Sequence, residues 1–191
     1  MLKKLDINIE NYKRIRGIYK KGERNGKGKE YLYGQFIFEG EYLNGKRNGK
    51  GKEYYDNGKL KFEGEYLNGK RNGKGKEYYD NGKILFEGEY LNGKRWNGKG
   101  YNKEGKTDFK IKEGKGKGKE YYMNGELEFN GEYLNGERNG KGIEYNYDGV
   151  IKYIGDYFNG KRDGKGKEYN SNGELIFEGE YSDGERILHD Y

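Results

Sequence analysis

The sequence predicts an all-β protein: an elongated, single-layer antiparallel meander, or solenoid, of about seven to eight β-hairpins. Three observations support this prediction. A unit of 24 residues recurs along the chain, apolar and charged residues alternate within each unit, and Asn-Gly pairs separate the alternating segments. Alternation with a period of two is typical of half-buried strands, and Asn-Gly is the strongest short hairpin signal. The chain also contains no alanine, the best helix former.

The repeat extends along nearly the whole chain. Residues 38–58 recur almost letter for letter at 62–82, and all 36 glycines belong to the repeat. Such regularity indicates a specified backbone rather than a low-complexity segment. The units begin at Ile15, Phe38, Phe62, Phe86, Phe109, Phe129, Tyr153 and Phe177.

Each unit is predicted to contain two strands and two turns. Residues 60–66 form the first strand, because apolar or small residues alternate there with charged ones. Residues 68–73 form the hairpin connection, because their two Asn-Gly pairs tolerate positive φ. Residues 75–79 form the returning strand, and residues 80–83 turn into the next unit. Two strands at about 4.8 Å each advance the array by about 10 Å per unit.

Comparison between units predicts which side chains face inward. The first tyrosine of the returning strand persists from unit to unit, for example as Tyr54 and Tyr78, whereas the second varies. We therefore place the first tyrosine inward, beside the Phe or Ile that begins each unit and the Tyr42-type residues. Gly40-type positions would leave room for a neighbouring ring. Aromatic cross-strand pairs would then replace an aliphatic core.

The repeated motif FEGEYLNGKRNGKG resembles the pattern of the MORN repeat family, aromatic-x-G-x-aromatic-x-x-G-x-x-x-G-x-G. The continuation EYYDNGKL is similar to the MORN variant common in bacterial proteins. The sequence departs from the pattern where Tyr replaces a frequent Trp, and where Asn48 and Asp163 replace a frequent His. The resemblance implies a curved array of β-hairpins that acts as a non-enzymatic scaffold or dimerisation module, with membrane association in some members.

The array is predicted to occupy residues 15–186, between a capping strand at 1–14 and a short tail at 187–191. Leu5, Ile7 and Ile9 alternate with polar residues, which favours the capping strand. The units are irregular around residues 94–120, where the single tryptophan, Trp96, occurs. An indel tolerated in a loop and a bend or contact site both remain open for this segment.

The composition disfavours an enzyme, and we predict no cofactor. The chain has no cysteine and one histidine, His189, and its many glutamates recur on the predicted exposed face of each strand. Residues 93–99 have phosphate-loop spacing, but Gly100 follows where that motif needs Ser or Thr. No apolar stretch suits a signal peptide or a membrane-spanning helix. We therefore predict an intracellular, cytoplasmic protein, with peripheral membrane association left open.

Basic residues recur at every hairpin, and the formal net charge is +6. Stacked hairpins are expected to align these cations along one edge, as a solubilising surface or as a strip for acidic proteins or phosphoinositide head groups. Nucleic acid ranks below both, because the strands carry as many acids as bases. The predicted edge contains Lys46, Arg47, Lys50, Lys70, Arg71, Lys74, Lys94, Arg95, Lys99, Lys161, Arg162 and Lys165.

The predicted function is a non-enzymatic scaffold that binds partner proteins or copies of itself. The alternative is a peripheral membrane tether that binds anionic phospholipid through the basic edge. Self-association, with a dimer favoured, is expected near Tyr181, Ile187 and Leu188, where the last unit is truncated beside an open strand edge. The partner protein is not identified by the sequence.

Overall fold

The computed structural model describes residues 18–22 and 24–188, and every regular element within them is a β-strand. The strands form two sheets, and within each sheet every strand pairs antiparallel with its neighbours in chain order, so the predicted meander of hairpins is confirmed. The first sheet contains β1 (Ile18–Gly22), β2 (Gly26–Leu32), β3 (Gln35–Leu43), β4 (Lys46–Tyr54), β5 (Leu60–Leu67), β6 (Lys70–Tyr78), β7 (Ile84–Leu91), β8 (Lys94–Tyr101) and β9 (Thr107–Ile111). The second contains β10 (Gly116–Tyr121), β11 (Leu127–Leu134), β12 (Glu137–Tyr145), β13 (Ile151–Phe158), β14 (Lys161–Tyr169), β15 (Leu175–Ser182) and β16 (Glu185–Arg186).

The hairpin turns are tighter than the sequence predicts. Asn68 and Gly69 alone connect β5 to β6, with φ of 51° and 89°, and Lys70 already belongs to β6. Positive φ at both central residues is the requirement of a type I′ turn. The second Asn-Gly pair lies within β6, where Gly73 has φ of 93° beside a shift in the pairing of β5 with β6. The predicted six-residue connection is therefore wrong, because its second half is a bulge within a strand.

A ladder of hydrogen bonds joins successive hairpin turns. In the regular hairpins the turn glycine donates its N–H to an arginine carbonyl of the preceding hairpin, at 2.8 Å from Gly69 to Arg47 and 2.8 Å from Gly93 to Arg71. Equivalent bonds of 2.9 Å join Gly160 to Arg138 and Gly184 to Arg162. These bonds use backbone groups that an isolated hairpin would leave to water, so they bind each repeat to the next.

A column of paired glycines crosses both sheets. Gly40, Gly51, Gly64 and Gly75 are successive partners in the first sheet, and Gly118, Gly131, Gly142, Gly155, Gly166 and Gly179 continue the pattern in the second. Aromatic rings pack directly on this column: a Cβ atom placed on Gly51 would approach Cζ of Phe38 to 2.5 Å. The prediction that glycines make room for neighbouring rings is confirmed, and these rings form the core.

The facing of the two regular tyrosine pairs is the reverse of the prediction, whereas Tyr121, the first tyrosine of the irregular unit, packs against the core as predicted. Tyr55 and Tyr79, the second of each pair, are 8% and 1% exposed, whereas Tyr54 and Tyr78 are half-buried on the other side of the sheet. Pairing of Gly51 with Gly64 fixes Glu53 on the ring side, and alternation then places Tyr54 opposite and Tyr55 with the rings. The buried tyrosines also bridge repeats, since Tyr79 donates its hydroxyl to the carbonyl of Tyr101 at 2.7 Å.

The array is divided between β9 and β10, within the segment predicted to be irregular. Lys112 and Lys115 form an isolated bridge around a tight turn there. The ladder of turns nevertheless continues across the division. Gly114 donates to the carbonyl of Trp96 at 2.8 Å, and Gly136 donates to that of Gly114 at 2.9 Å. Trp96 packs against Gly114, so the inserted tryptophan is part of the junction between the sheets.

Two predicted segments lie wholly or partly outside the described residues. The capping strand at residues 1–14 falls outside them, as do residues 189–191 of the predicted tail. Within the described part of the tail, Ile187 donates its N–H to the carbonyl of Glu180 at 2.8 Å.

Candidate functional site

The two faces of the sheets differ in chemistry. The aromatic face carries the Phe and Tyr rings that pack on the glycine column, for example Phe62 and Tyr66. The groove face carries lysines and glutamates, for example Glu63 and Lys76, which are direct cross-strand partners. Strand alternation assigns each side chain to one of these faces.

A groove with a volume of about 1180 Å³ runs across β2 to β7 on the groove face. The glycine column forms its floor, so backbone rather than side chains lines the bottom. Charged side chains form two walls, because each glycine stands between two lysines or between two glutamates along its strand. The charged lining consists of Lys27, Lys29, Lys50, Lys52, Lys74, Lys76, Glu39, Glu41, Glu63, Glu65, Glu87 and Glu89.

The charges in the groove alternate in sign from strand to strand. Lys50 pairs with Glu65 and Lys52 with Glu63, and the same pairing recurs in the neighbouring units. The ion pairs are loose, at 3.8 Å for Lys29–Glu39 and 3.9 Å for Lys76–Glu87, with the side chains more than a third exposed. Such exposed pairs contribute little to stability. The groove therefore presents a balanced ladder of charges that remain accessible to a partner.

Tyr54 and Tyr78, the first tyrosines of the two regular pairs, support one wall of this groove. Tyr54 donates its hydroxyl to Glu39 at 2.8 Å, and Tyr78 donates to Glu63 at 2.6 Å. Burial and the hydrogen bond to Glu63 raise the pKa of Tyr78 to about 12, so its hydroxyl remains a donor at neutral pH. This role accounts for a tyrosine at these two positions, although neither ring faces the core.

An apolar ridge lies along the hairpin edge of the groove face. Leu43 and Leu67 are 51% and 50% exposed, and Phe158 is 58% exposed at the equivalent position of the second sheet. Each lies directly across from a hairpin lysine, as Leu67 does from Lys70. The ridge consists of Leu43, Leu67, Leu91, Leu134 and Phe158.

On the aromatic face, arginines and glutamates alternate as a zipper along the array. Arg71 contacts Glu53 at 2.7 Å and Glu77 at 3.3 Å, and its guanidinium lies 4.0 Å from the ring centre of Phe62. Tyr66 donates to Glu53 at 2.7 Å. The arrangement recurs at Arg47 with Glu30 and Glu53, at Arg138 with Glu120 and Glu144, and at Arg162 with Glu144 and Glu168.

These contacts keep the zipper charged despite its burial. Burial opposes the ionised form of Glu77, but the Arg95 and Arg71 guanidiniums outweigh it and lower the pKa of Glu77 to about 2. A buried carboxylate that accepts hydrogen bonds from two arginines and a tyrosine is fully satisfied, which offsets the cost of removing it from water.

The structure separates the predicted basic edge into three groups. Lysines 46, 70, 94 and 161 lie at the hairpin edge beside the apolar ridge, whereas lysines 50, 74, 99 and 165 lie within strands on the groove face. Arginines 47, 71, 95 and 162 lie on the aromatic face in the zipper. One continuous row of these twelve cations is therefore not formed, because alternation along each strand divides them between the faces.

The zipper is not among the sites predicted from the sequence. Its signal was present, since Glu53, Glu77, Glu144 and Glu168 recur in register just as the tyrosines do, and so do the arginines. The predicted self-association residues are placed differently from one another. Tyr181 is buried and donates to Glu168 at 3.1 Å, whereas Ile187 and Leu188 are exposed. Tyr181 thus belongs to the core of the last repeat.

Comparison with known families accounts for this architecture. The family model described as the MORN repeat matches residues 16–33, 38–59, 62–84, 129–150 and 153–174, which is more than half of the chain. The chain belongs to the MORN repeat family. Comparison with curated proteins gave no match. The MORN segments stop at residue 84 and resume at 129, so the division between the sheets lies in the unmatched part.

MORN repeats are generally repeats that interact with proteins or membranes. Within the residues that the structure describes, no helix could cross a membrane. In the same part of the chain, no group of three or more His, Cys, Asp or Glu side chains is arranged to hold a metal ion.

Proposed function

We propose that this MORN repeat protein is a non-enzymatic scaffold whose groove binds an elongated segment of a partner protein. The observation that carries the proposal is the balanced ladder of charges over a glycine floor. The groove crosses six strands, which corresponds to about 25 Å along the array. A polypeptide segment that carries both acidic and basic side chains can satisfy such a ladder.

The balanced charge argues against a purely anionic ligand in the groove. Six lysines and six glutamates line it, so a phosphate-rich molecule would meet as many carboxylates as ammonium groups. The apolar ridge supports a protein partner further. Leu43 and Leu67 stand two residues beyond Glu41 and Glu65 on the same face, where they can contact apolar side chains of a bound segment.

Site-specific photo-crosslinking in the native host tests this function. A photoreactive residue replaces Lys52 in the groove, and in a matched control it replaces Lys59, an exposed lysine of the opposite turn. We expect discrete protein adducts from position 52 and none of the same mass from position 59. An adduct with a second copy of the chain would support self-association through the groove. Identical adducts from both positions, or none from either, would contradict the proposal.

A membrane tether is the second candidate, and the hairpin edge favours it. Four of the five ridge residues lie across from a lysine, as Leu67 does from Lys70 and Phe158 from Lys161, whereas Leu134 lies across from Glu137. Apolar insertion together with cations suits an anionic lipid surface. Sedimentation with phosphatidylcholine vesicles, with and without phosphatidylserine, separates the candidates. If the protein is a tether, it should sediment only with vesicles that contain phosphatidylserine. The double variant Leu67→Ser, Leu91→Ser should no longer sediment with them.

A further inference from the structure

A second cavity, of about 470 Å³, lies on the aromatic face where the two sheets meet. Tyr55 and Leu85 line it from the first sheet, and Tyr121, Tyr122 and Met123 line it from the second. Its volume falls within the range of about 300–1,000 Å³ that is typical of small-molecule sites. The cavity lies beside the unit that begins at Phe109, whose sequence lacks the Tyr42-type tyrosine and the Arg47-type arginine of the regular units.

Contacts between the sheets hold this cavity in shape. The rings of Tyr79 and Tyr121 meet edge to face, with centroids 5.6 Å apart. Arg95 donates to the carbonyl of Lys119 at 3.0 Å, and Lys94 forms an ion pair with Glu137 at 2.6 Å. A site fixed by such contacts loses little conformational freedom when a ligand binds.

Most cations that line the cavity already have close anionic partners. Arg71 and Arg95 both contact Glu77, at 3.3 Å and 2.6 Å, and Lys94 is paired with Glu137. Lys61 is the remaining lining lysine, and its ammonium lies 5.5 Å from the ring centre of Tyr55. The walls of the cavity thus already hold one ammonium group over a tyrosine ring.

Glu128 stands at an unusual position in the same cavity. Most units begin with an aromatic residue, and the residue just before it is acidic only in the two units that meet at the junction. In the other such units this residue is Ile37, Lys61, Leu85, Lys152 or Ile176. Asp108, the other acid, is paired with Lys119 at 2.8 Å. The one ion pair of Glu128 among the described residues is a 4.0 Å contact with Arg138.

Two further features indicate that a positive charge beside Glu128 would be favourable. Burial and the neighbouring Glu120 raise the pKa of Glu128, and Arg138 and Lys152 offset this only in part, so a further positive charge beside the carboxylate would be stabilising. Glu128 and Tyr122 also correspond in the repeat to Lys61 and Tyr55. The earlier unit therefore places the Lys61 ammonium over the Tyr55 ring, whereas this unit places the Glu128 carboxylate near Tyr122.

We propose that this cavity binds a small organic cation that carries an aromatic ring, with its charge beside Glu128 and its ring among Tyr55, Tyr121 and Tyr122. Tyrosine faces attract ammonium groups, and the carboxylate adds a charge-assisted contact. The site is separate from the groove, because it opens on the opposite face of the sheet.

Methionine NMR tests the proposal directly. The chain has two methionines, Met1 and Met123, so ¹³C-methyl labelling gives one reporter in the cavity and one reference at the chain start. Phenyltrimethylammonium chloride is the probe, and sodium benzenesulfonate is the anionic counterpart with the same ring. We expect a saturable shift of the Met123 signal with the cation and none with the sulfonate.

Substitution of Glu128 completes the test. Glu128→Lys places at this position the residue that Lys61 and Lys152 already occupy in other units, so the fold accommodates it. Affinity for the cation should fall by about tenfold or more, whereas Glu178→Gln on the groove face should leave it unchanged. The proposal would be overturned if the two probes bind equally or if Glu128→Lys leaves the affinity for the cation unchanged. It would also be overturned if the Met123 signal shows no saturable shift at cation concentrations that leave the Met1 signal in place.

Discussion

At the scale of single residues, the core of this protein combines rings with buried charges. Phe62 is fully buried, yet Glu77 lies directly across from it and contacts two arginines and a tyrosine. A carboxylate is tolerated there because Arg71, Arg95 and Tyr90 all donate hydrogen bonds to it. The aromatic face is thus a layer of rings with an ionic zipper across it, rather than an aliphatic core.

Substitution of the two adjacent tyrosines should separate their roles. We expect Tyr79→Ala to lower the free energy of unfolding by about 3–5 kcal/mol, because it removes a buried ring and a bridge to the next repeat. Tyr78→Ala removes a half-buried ring on the groove face and should cost less. Urea denaturation of both variants measures the difference. A larger loss for Tyr78→Ala would contradict the facing that the structure shows.

The inward rings were predictable and the inward charges were not. Phe38 and Tyr42 follow from their period and apolar character, and both are buried. Glu53 was assigned to solvent because an isolated carboxylate belongs there. A recurring glutamate alone does not indicate a buried ion pair. The network becomes predictable only when the glutamate, the arginine and the tyrosine are seen to recur in the same units.

At the scale of elements, the glycine column determines how closely rings approach the sheet. Gly75 has an ordinary φ, so its requirement is space rather than conformation. A Cβ atom there would lie 2.6 Å from Cζ of Phe62 and 3.1 Å from a ring carbon of Tyr90. Each ring therefore rests on backbone, which is how a single layer of strands buries aromatic surface.

A double-mutant cycle should show this packing. Gly75→Ala is expected to destabilise the protein by about 1–3 kcal/mol through overpacking, although alanine suits a strand no worse than glycine. Phe62→Leu replaces the opposing ring by a shorter side chain, so Gly75→Ala should lower the free energy of unfolding by less in that background. Equilibrium unfolding of the two single variants and the double variant gives the coupling energy. Additive losses would show that the ring does not limit this position.

The hairpins could be predicted from the sequence, whereas the division of the sheet could not. Period and Asn-Gly turns specify each hairpin locally. The break between β9 and β10 depends on whether a shortened unit still pairs with its neighbours, which is a matter of tertiary contacts. The shortening near Phe109 indicated irregularity, but an indel in a loop would give the same sequence.

At the scale of the whole molecule, the zipper links successive repeats on the aromatic face of each sheet. Glu53 contacts both Arg47 and Arg71, and Glu144 contacts both Arg138 and Arg162, so each carboxylate belongs to two repeats. Burial opposes the charge of Glu53 and Glu144, but their arginine partners lower both pKa values overall. Protonation at one repeat therefore weakens its contact with the next.

Acid should consequently unfold the array. The pKa of Glu77 is about 2 in the folded protein, below the ordinary value of 4.5, so the unfolded state binds more protons between these values. Its contribution is complete above pH 4.5 and is lost as the pH falls towards 2. Urea midpoints measured across this range should decline steeply. Glu77→Gln should lower stability at neutral pH and flatten the decline, and an unchanged slope in that variant would contradict this assignment.

The alternation of charge along the groove would impose discrete positions on a rod-like partner whose own charges alternate at the same spacing. Lysine and glutamate strands follow one another at about 4.8 Å, so a partner displaced by one strand meets like charges at every contact. Displacement by two strands, about 10 Å, restores every attractive pair. The regular part of the array therefore offers several equivalent docking registers separated by repulsive ones. A partner could step along it one repeat at a time, and its final position would be set by whatever it meets at the irregular junction.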